Sequence, residues 1–461
     1  MAPRKTSPRL SRFRTHSIEQ AHALFAPYVN FAPRAKGRIR LFSPAKTFWL
    51  FLWQVLSGNI SCSETLQSAL AWLCLSGDAK ASPNTAAYCK ARGRLRKKEI
   101  EKLRDNVAGN LESRAPGDPL FPGRRVRIVD GTGLSMPDTR ANQKRFPQSK
   151  KQKRGCGFPI MRLVAIFSLA TGAIVRTAFG SLAVHERTLF HQLWNEFTTG
   201  DIVVADRGFC GYADFWVLLQ RGVDCLMRNH HRRSSGQKIL RRLGKGDCLV
   251  TWFKTKFRPK WMGHEEWLKM PGEMTVRQID VTVEIEGFRT KNIVLVTTLL
   301  DRRLFPKANF AELYRRRWWA ELFLRDIKTS MGMDVLKCKS PEMVIKELTM
   351  YLIAYNLIRT IMIEAAETHG GDPLGISFKR TTDALRQWSP LIHAARSERK
   401  KCEHLTQALL YYISRLKVPN RPNRTEPRAI KRRKKNYQLL NKPRCEFKEI
   451  SHRNKYRAGL S

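Results

Sequence analysis

The sequence contains few acidic residues for its number of basic ones. Its 461 residues include 39 Asp and Glu against 85 Lys and Arg, which gives a formal net charge of +46. A compact fold with this excess repels itself, so the composition favours a polyanionic partner. Double-stranded DNA is the natural candidate, because Lys and Arg that neutralise phosphates release the counterions condensed around them. A basic RNA-binding scaffold also fits the charge.

Long apolar runs are missing as well. The longest one near the N-terminus is Phe48–Trp53, whereas a membrane-spanning helix needs about 20 apolar residues. No apolar stretch directly follows the basic first residues, so no secretory signal is expected. These features argue against a membrane partner and favour a cytoplasmic protein, one associated with a bacterial nucleoid.

The ten cysteines form no Cys-x-x-Cys pair and no Cys/His cluster at zinc spacing. Cysteines scattered among apolar neighbours are typical of reduced, buried thiols in the cytoplasm. The phosphate-binding P-loop and the Gly-x-Ser-x-Gly motif of serine hydrolases are absent too. The sequence therefore argues against a zinc site, a P-loop nucleotide site and a serine nucleophile.

The residue pattern predicts a mixed α/β chain made of five parts. Apolar residues recur at helical spacing after a basic, Pro-containing start, and strands alternate with helices from about residue 120. The predicted parts are a basic N-terminal arm (1–45), a helical domain (46–118), an α/β domain (119–229 and 293–370), a β-rich insertion (230–292) and a helical C-terminal region with a basic tail (371–461).

Two basic segments suit contact with DNA. The helix predicted at Ala86–Leu95 carries Lys90, Arg92 and Arg94, and a small helical unit with a basic helix is typical of DNA-binding domains. A solvated basic face is the alternative for these residues. The tail contains the run Lys431–Lys435, which suits either DNA contact or a nuclear address, and we favour DNA contact.

Two aspartates follow predicted strands. Asp130 comes directly after Arg124–Val129, and Asp206 comes directly after Asp201–Ala205. The carboxyl ends of strands are where α/β domains place their functional groups. Taken singly, each aspartate is more typical of a turn, since Asp close to Gly is common turn chemistry.

Four polar residues share one face of the helix predicted over residues 307–330. At about 100° per residue, Tyr314, Arg317, Glu321 and Lys328 fall within an arc of roughly 60°. A carboxylate on this face can hold a metal ion while the cations beside it bind phosphate. The alternative is an exposed helix face on which Arg317 pairs with Glu321 four residues later.

Three carboxylates, those of Asp130, Asp206 and Glu321, suit phosphodiester cleavage for a physical reason. Two Mg²⁺ ions about 4 Å apart can stabilise the attacking oxygen, the leaving oxygen and the phosphoryl group, and such hard cations prefer oxygen ligands. Mn²⁺ is expected to substitute for Mg²⁺. Asp326, about 140° round the helix from Glu321, is a weaker candidate for the third carboxylate.

The spacing of the helix residues resembles a known family. Tyr314-(2)-Arg317-(3)-Glu321-(6)-Lys328 resembles the motif of insertion-sequence-4-type DDE transposases. The segments 130–132 (Asp-Gly-Thr) and 206–209 (Asp-Arg-Gly-Phe) resemble the surroundings of that family's first two catalytic aspartates. The resemblance extends over most of the chain, from about residue 45 to about residue 440.

The resemblance implies an RNase H-like catalytic core with a β-rich insertion between the second Asp and the Glu. It also implies a helical DNA-binding region and cut-and-paste transposition by a homodimer that holds both ends of the element. The three carboxylates would bind metal, and Tyr314, Arg317 and Lys328 would contact DNA phosphates. Members of the family stack a flipped base on an aromatic ring, and the candidate rings in the insertion are those of Trp252, Trp261 and Trp267.

Basic residues close to the two aspartates are predicted to contact the DNA backbone. One group forms a loop after Asp130, and a single arginine follows Asp206 directly. Neutralising such residues weakens binding to all DNA sequences and reduces its dependence on salt. These residues are Lys150, Lys151, Lys153, Arg154 and Arg207.

Two other functions are compatible with the sequence. One is a sequence-specific DNA-binding protein that derives from a transposase and no longer catalyses a reaction. The intact set of carboxylates argues against it. The other is an RNase H-like, metal-dependent nuclease, which would cut DNA without joining the released 3′-hydroxyl to a target.

Overall fold

The computed structural model describes residues 17–31, 40–75, 82–230, 238–283, 291–418 and 442–447. The basic run Lys431–Lys435, predicted to contact DNA, lies outside these residues.

The described residues form nine strands in one sheet and a set of helices around it. The strands are β1 Arg125–Ser135, β2 Ile160–Ser168, β3 Ile174–Ser181, β4 Asp201–Ala205, β5 Asp224–Arg228, β6 Lys238–Gly244, β7 Asp247–Phe253, β8 Glu273–Val283 and β9 Lys291–Thr297. The helices are α1 Ser17–Phe25, α2 Pro44–Leu56, α3 Cys62–Leu75, α4 Ala86–Arg94, α5 Lys97–Glu112, α6 Arg140–Arg145, α7 Glu186–His191, α8 Tyr212–Gln220, α9 His264–Lys269, α10 Lys307–Arg316, α11 Trp319–Arg325, α12 Pro341–His369, α13 Phe378–Ala394 and α14 Arg399–Arg415.

The strand order is β3-β2-β1-β4-β5-β9-β8-β7-β6. Strands β1, β4 and β5 are parallel to one another, and β2 pairs antiparallel with both β1 and β3. The first five strands therefore have the order and directions of an RNase H-like core. This confirms the fold class that the resemblance implied.

Each face of this sheet is covered by helices. Strand β4 is buried along its whole length, as expected for a short apolar strand between two parallel neighbours. Its residues Ile202 and Val204 join a core that also contains residues of α10, α11 and α12. Val203 and Ala205 face the opposite way, into a core that includes residues of α7 and α8. Alternate residues of β4 therefore contribute to two different cores, one on each face of the sheet.

Helix α12 connects the sheet to the other helices. It is buried along most of its 29 residues and packs against α2, α5, α13 and α14. The Asn356 side chain on α12 bonds both backbone groups of Ile174, accepting from its N–H (2.9 Å) and donating to its C=O (2.9 Å). These bonds fix α12 to β3. None of the described helices, α12 included, is long and apolar enough to cross a membrane.

The strands of the predicted insertion extend the core sheet instead of forming a sheet of their own. Strand β9 pairs with β5, and β8, β7 and β6 follow outward in sequence. Strand β8 is the longest of them, from Glu273 to Val283. Strand β6 and the short helix α9 were not predicted. Strand β6 is almost entirely exposed, so it lacks the apolar alternation that signals a strand.

The prediction that Asp130 ends its strand is wrong. Strand β1 continues to Ser135, and its pairing with β2 runs from Arg127 opposite Ser168 to Ser135 opposite Ile160. The Gly-Thr-Gly segment after Asp130 suggested a turn. The backbone groups of this segment are instead satisfied by β2, so the strand continues.

The single helix predicted over residues 307–330 is divided into three pieces. Helix α10 ends at Arg316, α11 begins at Trp319, and a π-helical turn follows at Asp326–Ser330. Around the first break the backbone bonds span three residues, as in Arg317 N to Tyr314 O (3.2 Å) and Glu321 N to Trp318 O (3.1 Å). A uniform rotation of about 100° per residue therefore does not hold along this segment.

Candidate active site

The parallel pair β1–β4 brings Asp130 and Asp206 together. The register places Val129 opposite Ala205, so the two aspartates are the next residues on adjacent strands. Adjacent strands lie about 4.8 Å apart. Strand β4 ends here, and Asp206 keeps an extended backbone (φ −78°, ψ 168°). The backbones of Asp130 and Asp206 are therefore neighbours at the carboxyl end of this strand pair.

Both carboxylates point toward the same face. Residues two apart on a strand share a face, so Asp130 points to the side of Ile128 and Asp206 to the side of Val204. Both of these apolar residues belong to the core that contains residues of α10 and α11. Helix α11, which carries Glu321, packs against β1. The parallel pair β1–β4 and helix α11 therefore bring the three predicted carboxylates to one site.

Arg317 lies among these carboxylates. Its Nη2 is 3.3 Å from Glu321 Oε1, and its side chain is 14% exposed. Burial acts to lower the pKa of Arg317, yet the phenol of Tyr314 and the three carboxylates together raise it above its ordinary value. The predicted alternative, an Arg317–Glu321 pair four residues apart on a helix face, is therefore present in the structure. It is part of the site, because Asp130 and Asp206 act on the same guanidinium.

The environment of Asp130 disfavours its charge. Burial raises the pKa of Asp130 to about 6, with Glu321 and Glu186 also raising it, while the backbone N–H of Gly131 and the charge of Arg317 lower it. The Gly131 N–H donates to Asp130 Oδ1 over 2.8 Å.

Tyr314 is a buried support of the site. Its ring lies under the Arg317 guanidinium, 5.6 Å from ring centroid to Cζ. Burial raises the pKa of Tyr314 to about 12, with a smaller contribution from Asp206. The structure therefore brings Tyr314 to the site, with its ring packed against Arg317.

Lys328 reaches the site from the π-helical turn. Its Nζ donates to Thr132 Oγ1 over 2.7 Å and to Gly133 O over 3.1 Å. Thr132 lies two residues after Asp130 on β1 and so shares its face. Asp326, the weaker candidate for the third carboxylate, pairs instead with Arg359 of α12 at 3.1 Å. The structure brings Glu321 and Lys328 to the two aspartates and turns Asp326 toward α12.

The three carboxylates do not form a ready metal cage. Within the described ranges, no three His, Cys, Asp or Glu side chains stand close enough to hold a metal ion together. Their donor chemistry nevertheless fits a hard divalent cation, which takes carboxylate oxygens. The Glu321 side chain is 41% exposed and is held by Arg317.

The predicted basic loop lies at the same edge of the sheet. It connects α6 to β2, whose first residue, Ile160, pairs with Ser135 at the end of β1. The Gln148 side chain holds the loop by donating to Lys153 O (2.9 Å) and accepting from Gly155 N (3.1 Å). All four predicted cations of the loop, and Arg207 beside Asp206, are exposed. These cations are Lys150, Lys151, Lys153 and Arg154.

The predicted base-stacking tryptophans lie in or against the core on the other face of the sheet. Trp252 is 3% exposed and packs on Phe215 with ring centroids 5.0 Å apart. The rings of Trp261 and His191 pack with their centroids 4.2 Å apart. The Lys254 ammonium lies over the Trp267 ring, 4.4 Å from its centroid. The burial of Trp252 argues against its stacking on a base.

The basic residues of helix α4 differ in their exposure to solvent. Lys90 and Arg94 are exposed, but Arg92 is buried. Its guanidinium donates to Gln54 Oε1 (3.3 Å) and to Cys62 Sγ (3.1 Å). Arg92 therefore joins α4 to α2 and α3 and does not contribute to a DNA-facing surface.

One acidic residue close to Asp130, on the opposite face of the sheet from the site carboxylates, was missed in the sequence. The Glu186 carboxylate, in the first turn of α7, lies against Gly131 beside Asp130. An acid in the first turn of a helix is a common helix-start feature, so no specific signal in the sequence indicated Glu186.

Comparison with known proteins identifies the family. Residues 121–357, just over half of the chain, match the family described as "Transposase DDE domain". The chain is 28% identical over 353 residues, covering 76% of each protein, to the transposase InsG for insertion sequence element IS4 of Escherichia coli (strain K12). Among solved structures, the cryo-EM structure of the piggyBac transposase synaptic complex with hairpin DNA is similar over 91% of this chain and 88% of that chain, with 9% identity and a TM-score of 0.44. The matched range contains Asp130, Asp206 and Glu321, and the chain belongs to the DDE transposases of the insertion-sequence-4 type, which cleave DNA and transfer its strands.

Proposed function

We propose that the protein is the transposase of an insertion sequence. It excises the element by metal-dependent hydrolysis at the element's ends and joins the released 3′-hydroxyls to target DNA. The observation that carries this proposal is the placement of Asp130 and Asp206 side by side on the pair β1–β4, with Glu321 linked to them through Arg317.

Asp130, Asp206 and Glu321 hold the divalent cations in this proposal. Mg²⁺ is the expected metal, in two ions, and Mn²⁺ can replace it. When bound, the ions stabilise the charge that develops on the phosphoryl oxygens and lower the pKa of the attacking water. The Asp130–Asp206 pair is adjacent without rearrangement, whereas Glu321 leaves its pair with Arg317 to join them.

The cations of the site act on phosphate. Once Glu321 turns away, the Arg317 guanidinium faces the site with its donors available, and guanidinium geometry matches two phosphate oxygens. The Tyr314 ring beneath it keeps the guanidinium in place. Lys328, held at Thr132, presents its charge on the same face as Asp130 and binds phosphate as a point charge.

Contacts outside the catalytic centre hold the DNA. The exposed loop Lys150–Arg154 and Arg207 contact its backbone on either side of the two aspartates. The helices α2–α5 form the DNA-binding region, with exposed cations of α4 facing the duplex. Two copies of the chain hold the two ends of the element in one complex, since both ends must be cut and joined together.

Cleavage of DNA that carries the element's own ends tests the proposal. Wild type, Glu321→Gln and the matched control Asp326→Asn are compared in Mg²⁺, with binding to the same DNA measured in parallel. We expect wild type and Asp326→Asn to cut and Glu321→Gln to bind without cutting. Equal cutting by wild type and Glu321→Gln contradicts the assignment of Glu321.

The same reaction distinguishes the other functions. Released 3′-hydroxyl ends that never join a target DNA would indicate a nuclease. Binding by all three proteins without any cleavage would indicate a DNA-binding protein that does not catalyse the reaction.

A further inference from the structure

An open cavity of about 800 Å³ lies beside the basic loop Lys150–Arg154. One of its walls belongs to this loop and to α6, and the other belongs to residues 442–447 (the C-terminal segment). The cavity therefore lies between two parts of the chain that are far apart in sequence. The first wall consists of Arg140, Lys153, Arg154 and Gly155, and the second consists of Pro443, Cys445 and Phe447.

The Gln148 side chain fixes the shape of the first wall. Its Oε1 accepts from the backbone N–H groups of Gly155 (3.1 Å) and Gly157 (3.0 Å), and its Nε2 donates to Lys153 O (2.9 Å). A Cβ on Gly157 would lie only 2.9 Å from Gln148 Cβ, so glycine permits this close approach. The backbone that carries Lys153 and Arg154 is therefore held in place beside the cavity.

Both walls of the cavity carry positive charge. The first wall contains arginine and lysine side chains, and on the second the Lys442 ammonium lies over the Phe447 ring, 4.9 Å from its centroid. Within the described ranges no Asp or Glu lines the cavity, and Glu446 of the C-terminal segment is exposed to solvent and is not part of the lining. Like charges that face one another repel, and an anion between them removes this repulsion. The charge of the two walls therefore favours an anionic ligand.

The size and position of the cavity indicate the kind of anion. A volume of about 800 Å³ exceeds what a single phosphate ion fills and lies in the range of about 300–1,000 Å³ that is typical of ligand sites. Phe447, whose side chain is 38% exposed, adds an apolar surface on which a nucleoside can pack. The basic loop lies at the edge of the sheet that carries Asp130, because Ile160 after the loop pairs with Ser135 of β1. These features fit a nucleotide unit of a DNA strand.

We propose that this cavity binds the backbone of a DNA strand, with one phosphodiester between the basic loop and the C-terminal segment. Lys153 and Arg154 bind the phosphate from one side, Lys442 supplies positive charge from the other, and Phe447 packs against the attached nucleoside. The C-terminal segment is thereby part of the DNA-binding surface. This inference rests on the proposed function, because it requires that DNA is the polyanion that the chain binds.

Alkylation of Cys445 by iodoacetamide measures whether DNA occupies the cavity, because this thiol is exposed and lines it. The full-length protein is alkylated with and without DNA that carries the element's ends, and peptide mass spectrometry gives the rate at each cysteine. With free DNA at about ten times its Kd, mass action leaves roughly a tenth of the cavities empty, so alkylation of Cys445 should slow about tenfold. Cys402, half-buried on α14, is the matched control, and its rate should not change. An unchanged rate at Cys445 in the DNA-bound protein overturns the inference.

A deoxynucleoside monophosphate distinguishes a site for a DNA strand from a site for a free nucleotide. We expect the monophosphate to leave the alkylation rate of Cys445 unchanged at the concentration at which DNA slows it. Equal protection by the monophosphate and by DNA would overturn the assignment of the cavity to a strand.

Replacement of one cation on each wall tests the contact with phosphate. Each Lys or Arg that neutralises a phosphate contributes about 0.9 to the slope of log affinity against log salt on duplex DNA. Lys442→Gln and Lys153→Gln should therefore each reduce this slope by about 1. Lys400→Gln, at an exposed position of α14, removes the same charge elsewhere and should leave the slope unchanged.

These measurements separate the two ways in which the inference can fail. If Lys153→Gln reduces the slope, Lys442→Gln does not and DNA leaves Cys445 unprotected, the C-terminal segment is outside the DNA-binding surface. The inference is then overturned while the loop contact of the proposed function stands. If the wild-type protein does not bind DNA that carries the element's ends, the proposed function is overturned, and the inference with it.

Discussion

Replacement of Thr132 by Val tests whether β1 positions Lys328 for the reaction. Valine has nearly the shape of threonine but lacks the hydroxyl that accepts from Lys328 Nζ at 2.7 Å. A hydrogen bond to a charged group contributes about 1.5–3 kcal/mol. We expect a smaller loss here, about 1–1.5 kcal/mol, because Lys328 is half-buried and keeps its bond to Gly133 O. That loss corresponds to about a five- to thirteenfold slower cleavage step.

Single-turnover cleavage of the element's ends measures this effect, with Thr132→Ser as the matched control that keeps the hydroxyl. Lys328→Met provides the reference for complete loss of the ammonium. If Thr132 acts through Lys328, the change Thr132→Val adds little in the Lys328→Met background. Cleavage by Thr132→Val at the rate of Thr132→Ser would refute the positioning role, and so would full additivity with Lys328→Met.

Three further predictions concern stability and DNA binding. Burial acts to raise the pKa of Asp214, but the hydrogen bond with His191 and the charge of Arg187 hold it below its ordinary value of 3.8. The ionised Asp214 therefore stabilises the fold fully above about pH 4, and this stabilisation is lost as the pH falls through the lower pKa of the folded state. Urea unfolding should show that Asp214→Asn costs about 3–5 kcal/mol at pH 7 and less at pH 3, and an equal cost at both values would contradict this pairing. Trp252→Ala should lower the free energy of unfolding by about 3–5 kcal/mol without changing the affinity for DNA that carries the element's ends. A folded Trp252→Ala variant that loses this affinity would indicate that Trp252 contacts DNA. Neutralising the four cations of Lys150–Arg154 should reduce the slope of log affinity against log salt by about 3–4 on duplex DNA, and an unchanged slope would place this loop away from the backbone.

The core strands and several helices could be predicted because local patterns determine them. Strand β4, for example, is a short apolar run bounded by Asp206. The extension of β1 past Asp130 could not be predicted, since it depends on hydrogen bonds from β2 and the Gly-Thr-Gly sequence suggests a turn. The break after Arg316 was equally hidden, because the residue spacing on either side of it remains helical.

The candidate site was partly predictable for a similar reason. Their spacing indicated Glu321 and Arg317, and the predicted strand ends indicated Asp130 and Asp206, although β1 continues past Asp130 to Ser135. Spacing within one element cannot predict that Glu186 lies over Gly131, because this depends on how α7 packs against the sheet. Nor does it distinguish exposed from buried basic residues of α4, where Arg92 turns inward to Gln54.

A sulfur substitution at the cleaved phosphate tests most directly whether the carboxylate centre acts through divalent metal. DNA bearing the element's end is prepared with sulfur in place of a non-bridging oxygen of that phosphate, and cleavage is measured in Mg²⁺ and in Mn²⁺. Mn²⁺ accepts softer ligands than Mg²⁺, so sulfur should suppress cleavage in Mg²⁺, and Mn²⁺ should restore it in wild type but not in Glu321→Gln. Equal cleavage of the oxygen and sulfur substrates in Mg²⁺, or restoration by Mn²⁺ in the Glu321→Gln variant, would contradict a metal centre built on Asp130, Asp206 and Glu321.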